Sequence, residues 1–174
     1  MSSSAPSTRA VVSPLPNVIG LGGALAGLAG GLAMALVAAL VSFAQGQDIW
    51  LEAKEIASVV LGPQAIARPG FAAAPVLIGT LIHLIVSMLL GALFGIVMRR
   101  IFHLTSDFGM LVLAGLIYGM LVWLITYFFV LPIIDPLLRD STYAPAFIIQ
   151  HIVYGTVTGL CYTWLRPSPY DATE

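Results

Sequence analysis

Two histidines are the residues whose type and position could do chemistry. His83 and His151 each lie inside a long apolar run, eight residues past Pro75 and six past Pro145. At about 1.5 Å per residue of helix, both rings fall roughly 9–12 Å below the same face of a bilayer. An ionisable group at that depth must face the interior of a bundle and find a partner. The rings could be the axial ligands of a b-type haem, two ligands of a metal, or stations in a proton path with Tyr118 and Tyr154. They could instead be neutral imidazoles that hydrogen-bond between helices, to one another or to Thr80, Ser87, Tyr118 or Gln150. The last use is the expected one, because polar side chains commonly join helices inside membranes.

The residues around the two rings weigh against a cofactor. Small residues follow each histidine at every fourth position, which favours close helix contact, whereas a macrocycle must push helices apart. Zinc usually takes four ligands, and no Asp or Glu lies inside any apolar run. The same absence weighs against an ion-coupled transporter. The expectation is therefore no catalytic residue, no metal and no cofactor, with haem b as the alternative use of the pair.

The elements that must position these rings form a repeat. His83, Ser87, Gly91 and Gly95 match His151, Gly155, Gly159 and Thr163, and each set follows an Ala-Pro pair. Each is preceded by another run with a shared string: Leu25-Ala26-Gly27-Leu28 with Gly31, and Leu113-Ala114-Gly115-Leu116 with Gly119. The pattern predicts one helical hairpin written twice in parallel. Gly23, Gly27, Gly31, Gly91, Gly95, Gly115, Gly119, Gly155 and Gly159 are expected at helix contacts, where a missing side chain lets backbones approach.

Composition sets the solvent. The chain is 174 residues long, 59% hydrophobic and only 9% charged, and its mean hydropathy of +1.00 is that of an integral membrane protein. A net charge of -1 with no basic stripe excludes a nucleic-acid partner. The single cysteine, Cys161, permits no internal disulfide.

Four apolar runs are long enough to span, at about 18–44, 74–98, 108–131 and 144–165. Together they make an all-α transmembrane domain over residues 18–166, between a disordered lead-in at 1–17 and a polar tail at 167–174. The third run is expected to begin after Ser106 or Asp107 as N-cap and to close at Pro132. In the first connection, Ile49, Ala53, Ile56 and Val60 recur at helical spacing with Glu52, Glu55 and Ser58 opposite. This predicts an amphipathic helix over about 48–61, lying on the membrane surface.

Arg9, Arg99, Arg100 and Arg166 lie on the side of the termini, against Lys54, Arg68 and Arg139 on the other. The positive-inside rule then puts both termini in the cytoplasm of a bacterium. Trp123, Tyr127 and Tyr143 would form an outer aromatic belt, with Tyr162 and Trp164 an inner one. His103 reads as a solvated turn residue. Asp135, Arg139 and Asp140 read as a solvated outer loop.

The chain resembles the uncharacterised four-helix bacterial inner-membrane proteins of the YagU type. The resemblance rests on His83-Leu84-Ile85-Val86-Ser87, on Leu113-Ala114-Gly115 with Pro132 after it, and on His151, and it covers roughly the C-terminal 100 residues. It implies four spans and supplies no catalytic residue. The expected function is non-enzymatic: a membrane protein that acts by association with itself, or as a small accessory subunit of a larger membrane complex. The alternatives are a bis-His haem or quinone protein and a small solute carrier or pore.

Overall fold

The computed structural model describes residues 20–102, 108–134, 139 and 143–165. The expected lead-in and tail, the caps Ser106 and Asp107, and Arg9, His103, Asp135, Asp140 and Arg166 lie outside the described residues. The described chain folds into α1 (Leu21–Ala44), α2 (Leu51–Leu61) with a 3-10 turn at Pro63–Ile66, α3 (Ala73–Arg100), α4 (Phe108–Ile134) and α5 (Ala144–Leu165). No strand occurs among the described residues. Helices α1, α3, α4 and α5 have 24, 28, 27 and 22 residues and are apolar enough to cross a membrane, where about 20 residues suffice. The chain is a multi-pass membrane protein.

Local chemistry explains the ends. Helix α1 stops because Gly46, at φ +68°, can turn left-handed. Its N–H reaches the Phe43 carbonyl at 3.0 Å and that of Gln47 reaches Ser42 at 2.8 Å, the two bonds of a Schellman cap. Helix α3 carries Pro75 in its first turn, where no intrahelical N–H is needed, and Arg99 and Arg100 in its last, facing the negative end of the helix dipole.

Pro132 does not close α4. The helix widens into a π-turn over Thr126–Val130 and runs on to Ile134. A proline clashes with the carbonyl four residues before it, here that of Phe128, and the wider turn moves that carbonyl out of the way.

Helix α1 packs along both α3 and α5, and α4 packs along α5. The closest approaches are at glycine. A Cβ added at Gly27 would stand 2.7 Å from the Gly91 Cα, and one at Gly115 would stand 2.8 Å from the Gly159 Cα. One at Gly119 would lie 2.9 Å from the Gly155 Cα. Gly23 faces Gly91 and Gly95, and Gly31 faces Ser87.

The end of the bundle formed by the N-termini of α1 and α4 is solid, filled by Ala26, Phe94, Met98, Leu111 and Tyr162. Tyr162 is thus a core residue whose hydroxyl donates to the Gly95 carbonyl at 3.1 Å, not part of an inner belt. Its position near the end of an apolar run suits either place, and the gap opposite Gly95 decides it. Trp164 is exposed. At the other end the four spans diverge around a cavity.

Candidate functional site

The polar side chains of the spans are spent first on backbone carbonyls. Tyr118 donates to Leu90 at 2.8 Å and Tyr154 to Ser87 at 2.9 Å, which ties α4 and α5 to α3. His83 Nε2 lies 3.0 Å from the Gly31 carbonyl on α1, and His151 Nδ1 lies 2.8 Å from the Phe147 carbonyl one turn back on α5. A carbonyl can only accept, so each of these nitrogens carries a hydrogen. The two rings do not bond to each other, nor do they use the other partners expected for them. Backbone carbonyls retain a second lone pair within a helix and are the nearer acceptors. In its neutral form each ring keeps one bare nitrogen, Nδ1 on His83 and Nε2 on His151.

Both rings line one cavity of about 310 Å³. Its walls are the C-terminal half of α1, the N-terminal halves of α3 and α5, and the C-terminal part of α4. Thr126, which opens the π-turn, lines it, as do Ser42, Ser87 and Tyr154. Gly91, Gly95, Gly115, Gly119, Gly155 and Gly159 do not line it; they hold the helices together beneath it.

Helix α2 closes the cavity from the side and supplies what the spans lack. The surface helix expected from Ile49, Ala53, Ile56 and Val60 is turned differently. Val60 is 67% exposed and Ile49 43%, while Ala57 is fully buried and the Ala53 carbonyl sits against Gly79 of α3. Gly79 has no side chain to hold α2 away, and that close approach outweighs burial of the wider apolar stripe. Glu52 and Glu55 consequently face inward, into the cavity. The Gln150 amide donates to Glu52 Oε2 at 2.9 Å, while the amide's own oxygen is buried without a hydrogen-bond partner.

A second group of contacts holds α2 in place. Lys54 is 1% exposed and pairs with Asp48. Its ammonium also donates to the Arg68 carbonyl at 2.7 Å and to Gly70 at 3.3 Å. Asp48 accepts from the Trp50 and Gly70 amides at 3.0 and 2.9 Å, and the Trp50 and Phe71 rings meet edge-on at 5.3 Å. The helix begins at Leu51 rather than 48 because Asp48 is engaged in this turn. The Lys54 hydrogen bond holds the Asp48 carboxyl below its usual range, with the two amides adding to the effect.

Burial pushes the Glu52 carboxyl up to about 7, and the neighbouring Glu55 charge adds to the shift. The folded state therefore holds a proton on Glu52 over a range where the unfolded chain has lost it. Stability should fall as pH rises through that range, by on the order of 3 kcal/mol. The melting temperature in detergent is expected to be higher at about pH 5 than at about pH 8, and Glu52→Gln should flatten the profile. A parent profile as flat as the variant's would contradict this placement of Glu52.

The sequence reading missed Glu52, Glu55, Lys54 and Gly79. The available signal was the i, i+3 spacing of the two carboxylates, which puts them on one face, but nothing in the sequence says that the face meets protein and not water. Among the described residues no three His, Cys, Asp or Glu side chains converge as a metal centre. Two of the three aromatics expected in a belt form a cluster: Trp123 stacks on Tyr127 at 6.0 Å and meets Phe128 edge-on, and the Arg139 guanidinium lies 5.2 Å from the Tyr127 ring centroid.

The model of a family of unknown function, DUF6789, matches residues 18–173. No curated protein matches the chain, and no solved structure does.

Proposed function

From the premise that the chain belongs to DUF6789, a family of unknown function, we propose that it is a non-enzymatic, solute-binding membrane protein. Its cavity admits a small molecule from the face that α2 covers. The observation that carries this reading is the delivery of Glu52 and Glu55 by a helix that does not span, into a cavity already lined by His83, His151 and Gln150. Concave, largely apolar pockets with a few convergent polar groups are the usual form of a small-molecule site, and about 310 Å³ is at the small end of their range. An association role was expected from the small-residue packing, and the absence of a carboxylate in the spans weighed against an ion-coupled transporter. Helix α2 supplies two, which favours the solute carrier among the alternatives.

The two hairpins, α1 with α3 and α4 with α5, are read as copies of one unit. Gly27 faces Ser87 and Gly91, and Gly115 faces Gly155 and Gly159, the same register in each pair. Among the described residues, α2 belongs to the first copy, and it contributes Leu51, Glu52, Glu55 and Ile56 to the cavity.

The protein would sit in a bacterial inner membrane with both termini cytoplasmic. Arg99 and Arg100 end α3 on that side and the cavity opens on the periplasmic side. Reporter fusions at Glu174 and within the connection carrying α2 should give opposite compartments. A periplasmic C-terminus would reverse the orientation of the cavity.

Solute binding is tested by a thermal-shift screen of small amines, acids, alcohols and sugars. The control is Val122→Trp, whose ring would fill the cavity. A compound at about 100 times its Kd should stabilise the parent by about 2.7 kcal/mol and leave the filled variant unmoved. A screen in which every compound shifts both proteins alike would remove the reading.

A further inference from the structure

We propose that the ligand class of this cavity is a small organic cation, a primary or secondary ammonium, held by Glu52 with the Gln150 carbonyl oxygen and a bare imidazole nitrogen as further acceptors. The inference rests on the solute-binding reading above and narrows it. Its basis is an inventory of which groups are still available.

Several of the lining donors are committed. His83 gives its N–H to Gly31, His151 to Phe147 and Tyr154 its hydroxyl to Ser87, while the Gln150 amide turns toward Glu52. Beside the second Gln150 amide N–H, what these residues keep unspent is acceptors: two imidazole lone pairs and an amide oxygen, next to the Glu52 carboxylate. The amide oxygen is the telling one. Gln150 is only 5% exposed and its Oε1 has no hydrogen-bond partner, a state that costs roughly 1–3 kcal/mol unless something donates to it. A ligand with several N–H groups on one charged nitrogen would satisfy that oxygen and the carboxylate together.

Charge points the same way. Among the described residues, the cavity lining contains Glu52 and Glu55 and neither Lys nor Arg. Lys54 is next to Glu52 in sequence but bonds away from the cavity, to Asp48 and two backbone carbonyls. The rings of Tyr143, Phe147 and Tyr154 add aromatic surface to the lining, against which an ammonium is favourably placed. An anionic solute would meet two carboxylates and, among the described lining residues, no lysine or arginine.

Protons should compete with such a ligand. The titratable groups that line the cavity with Glu52 are Glu55 on its own helix, His83 on α3, Tyr143 just before α5, and His151 and Tyr154 on α5, while the α1 and α4 linings hold none. With its carboxyl pushed up to about 7, Glu52 is largely protonated in mild acid and then offers no charge. Cation affinity should strengthen as pH rises, approaching about tenfold per unit on the acid side.

The test uses three probes of one shape, benzylammonium, benzyl alcohol and benzoate, titrated calorimetrically into the full chain in detergent. Benzylammonium should bind at least about tenfold more tightly than the other two at about pH 8, the loss expected when a charged hydrogen bond is removed. Its affinity should drop at about pH 5.5, where an alkylammonium is still charged. Glu52→Gln should weaken benzylammonium by about tenfold or more and leave benzyl alcohol unchanged. If that variant does not fold, the pH profile of the parent decides. Equal binding of the three probes, or preference for benzoate, would overturn the cationic class and leave the solute cavity standing. Binding of none would overturn both.

Discussion

Leucine in place of Gly27 or of Gly115 is expected to leave little folded protein. At both positions the space a side chain would need is occupied by the backbone of another helix. The Cβ alone would stand 2.7 Å from the Gly91 Cα in one case and 2.8 Å from the Gly159 Cα in the other. Backbone cannot rotate aside as a side chain can, so the helices must separate along their length. Even alanine should cost about 1–3 kcal/mol, the usual range for an overpacked site, and the longer leucine more. For a chain of this size each kcal/mol shifts the melting temperature by roughly 2–4 °C, so alanine should give a measurable drop and leucine a collapse. Leu36→Met, on a lipid-facing position that is 61% exposed, is the matched control. If both leucine variants melt with the control, close glycine packing is not what holds the bundle together.

Those glycines are the part of the fold most legible in the sequence. Their period of four on apolar runs has a single physical use, close backbone approach, and a membrane-spanning helix has few other ways to be held. The spans were legible for a similar reason, since length and hydropathy alone decide them, and α5 begins and ends at the residues expected. Pro132 misled because a proline's clash can be relieved by widening the preceding turn as well as by stopping. Tyr162 misled because belt and core both suit an aromatic ring with a polar tip, and only the volume opposite Gly95 separates them.

The candidate site was half legible. His83 and His151 were singled out by depth and do line one cavity, but their hydrogen-bond partners are main-chain oxygens, which occur at every position and leave no mark on a sequence. Glu52 and Glu55 were read on the outward face of α2 because Ile49 and Val60 make the wider apolar stripe. In a soluble protein that stripe would turn inward. Beside a membrane surface, where this helix is expected, an exposed Val60 would meet lipid at little cost, which would leave the helix free to turn its carboxylates toward Gln150. Hydrophobic patterning loses its sense of direction when both sides of a helix can be oily.

Lys54→Met should release α2 from the bundle without unfolding the spans. The ammonium is 1% exposed and Asp48 is 15% exposed, so their pair is largely shielded from water and screened little by salt. Removing the lysine leaves the Asp48 carboxylate without its counter-ion, held by two backbone amides alone, and deprives the Arg68 and Gly70 carbonyls of their donor. Breaking one side of a buried pair costs about 3–5 kcal/mol, which is comparable to what a short helix docked through Ala53 and Ala57 on Gly79 can supply.

The loss should stay local, because α1, α3, α4 and α5 meet through glycines that α2 does not touch. The expected result is fast hydrogen exchange over Leu51–Leu61 and protease cleavage in the following connection, with protection in the four spans unchanged. Asp48→Asn should act in the same direction and less strongly, since its amide oxygen can still accept. Acid should mimic it: the carboxyl's depressed value means that the latch is intact above the usual carboxylate range and fails as pH drops through the lowered one. Because α2 carries Glu52, the released protein should also lose any dependence of solute affinity on Glu52, so that Lys54→Met and the double variant with Glu52→Gln bind alike. If exchange over α2 in Lys54→Met matches the parent, the helix is held by its packing on Gly79 and the buried pair is incidental.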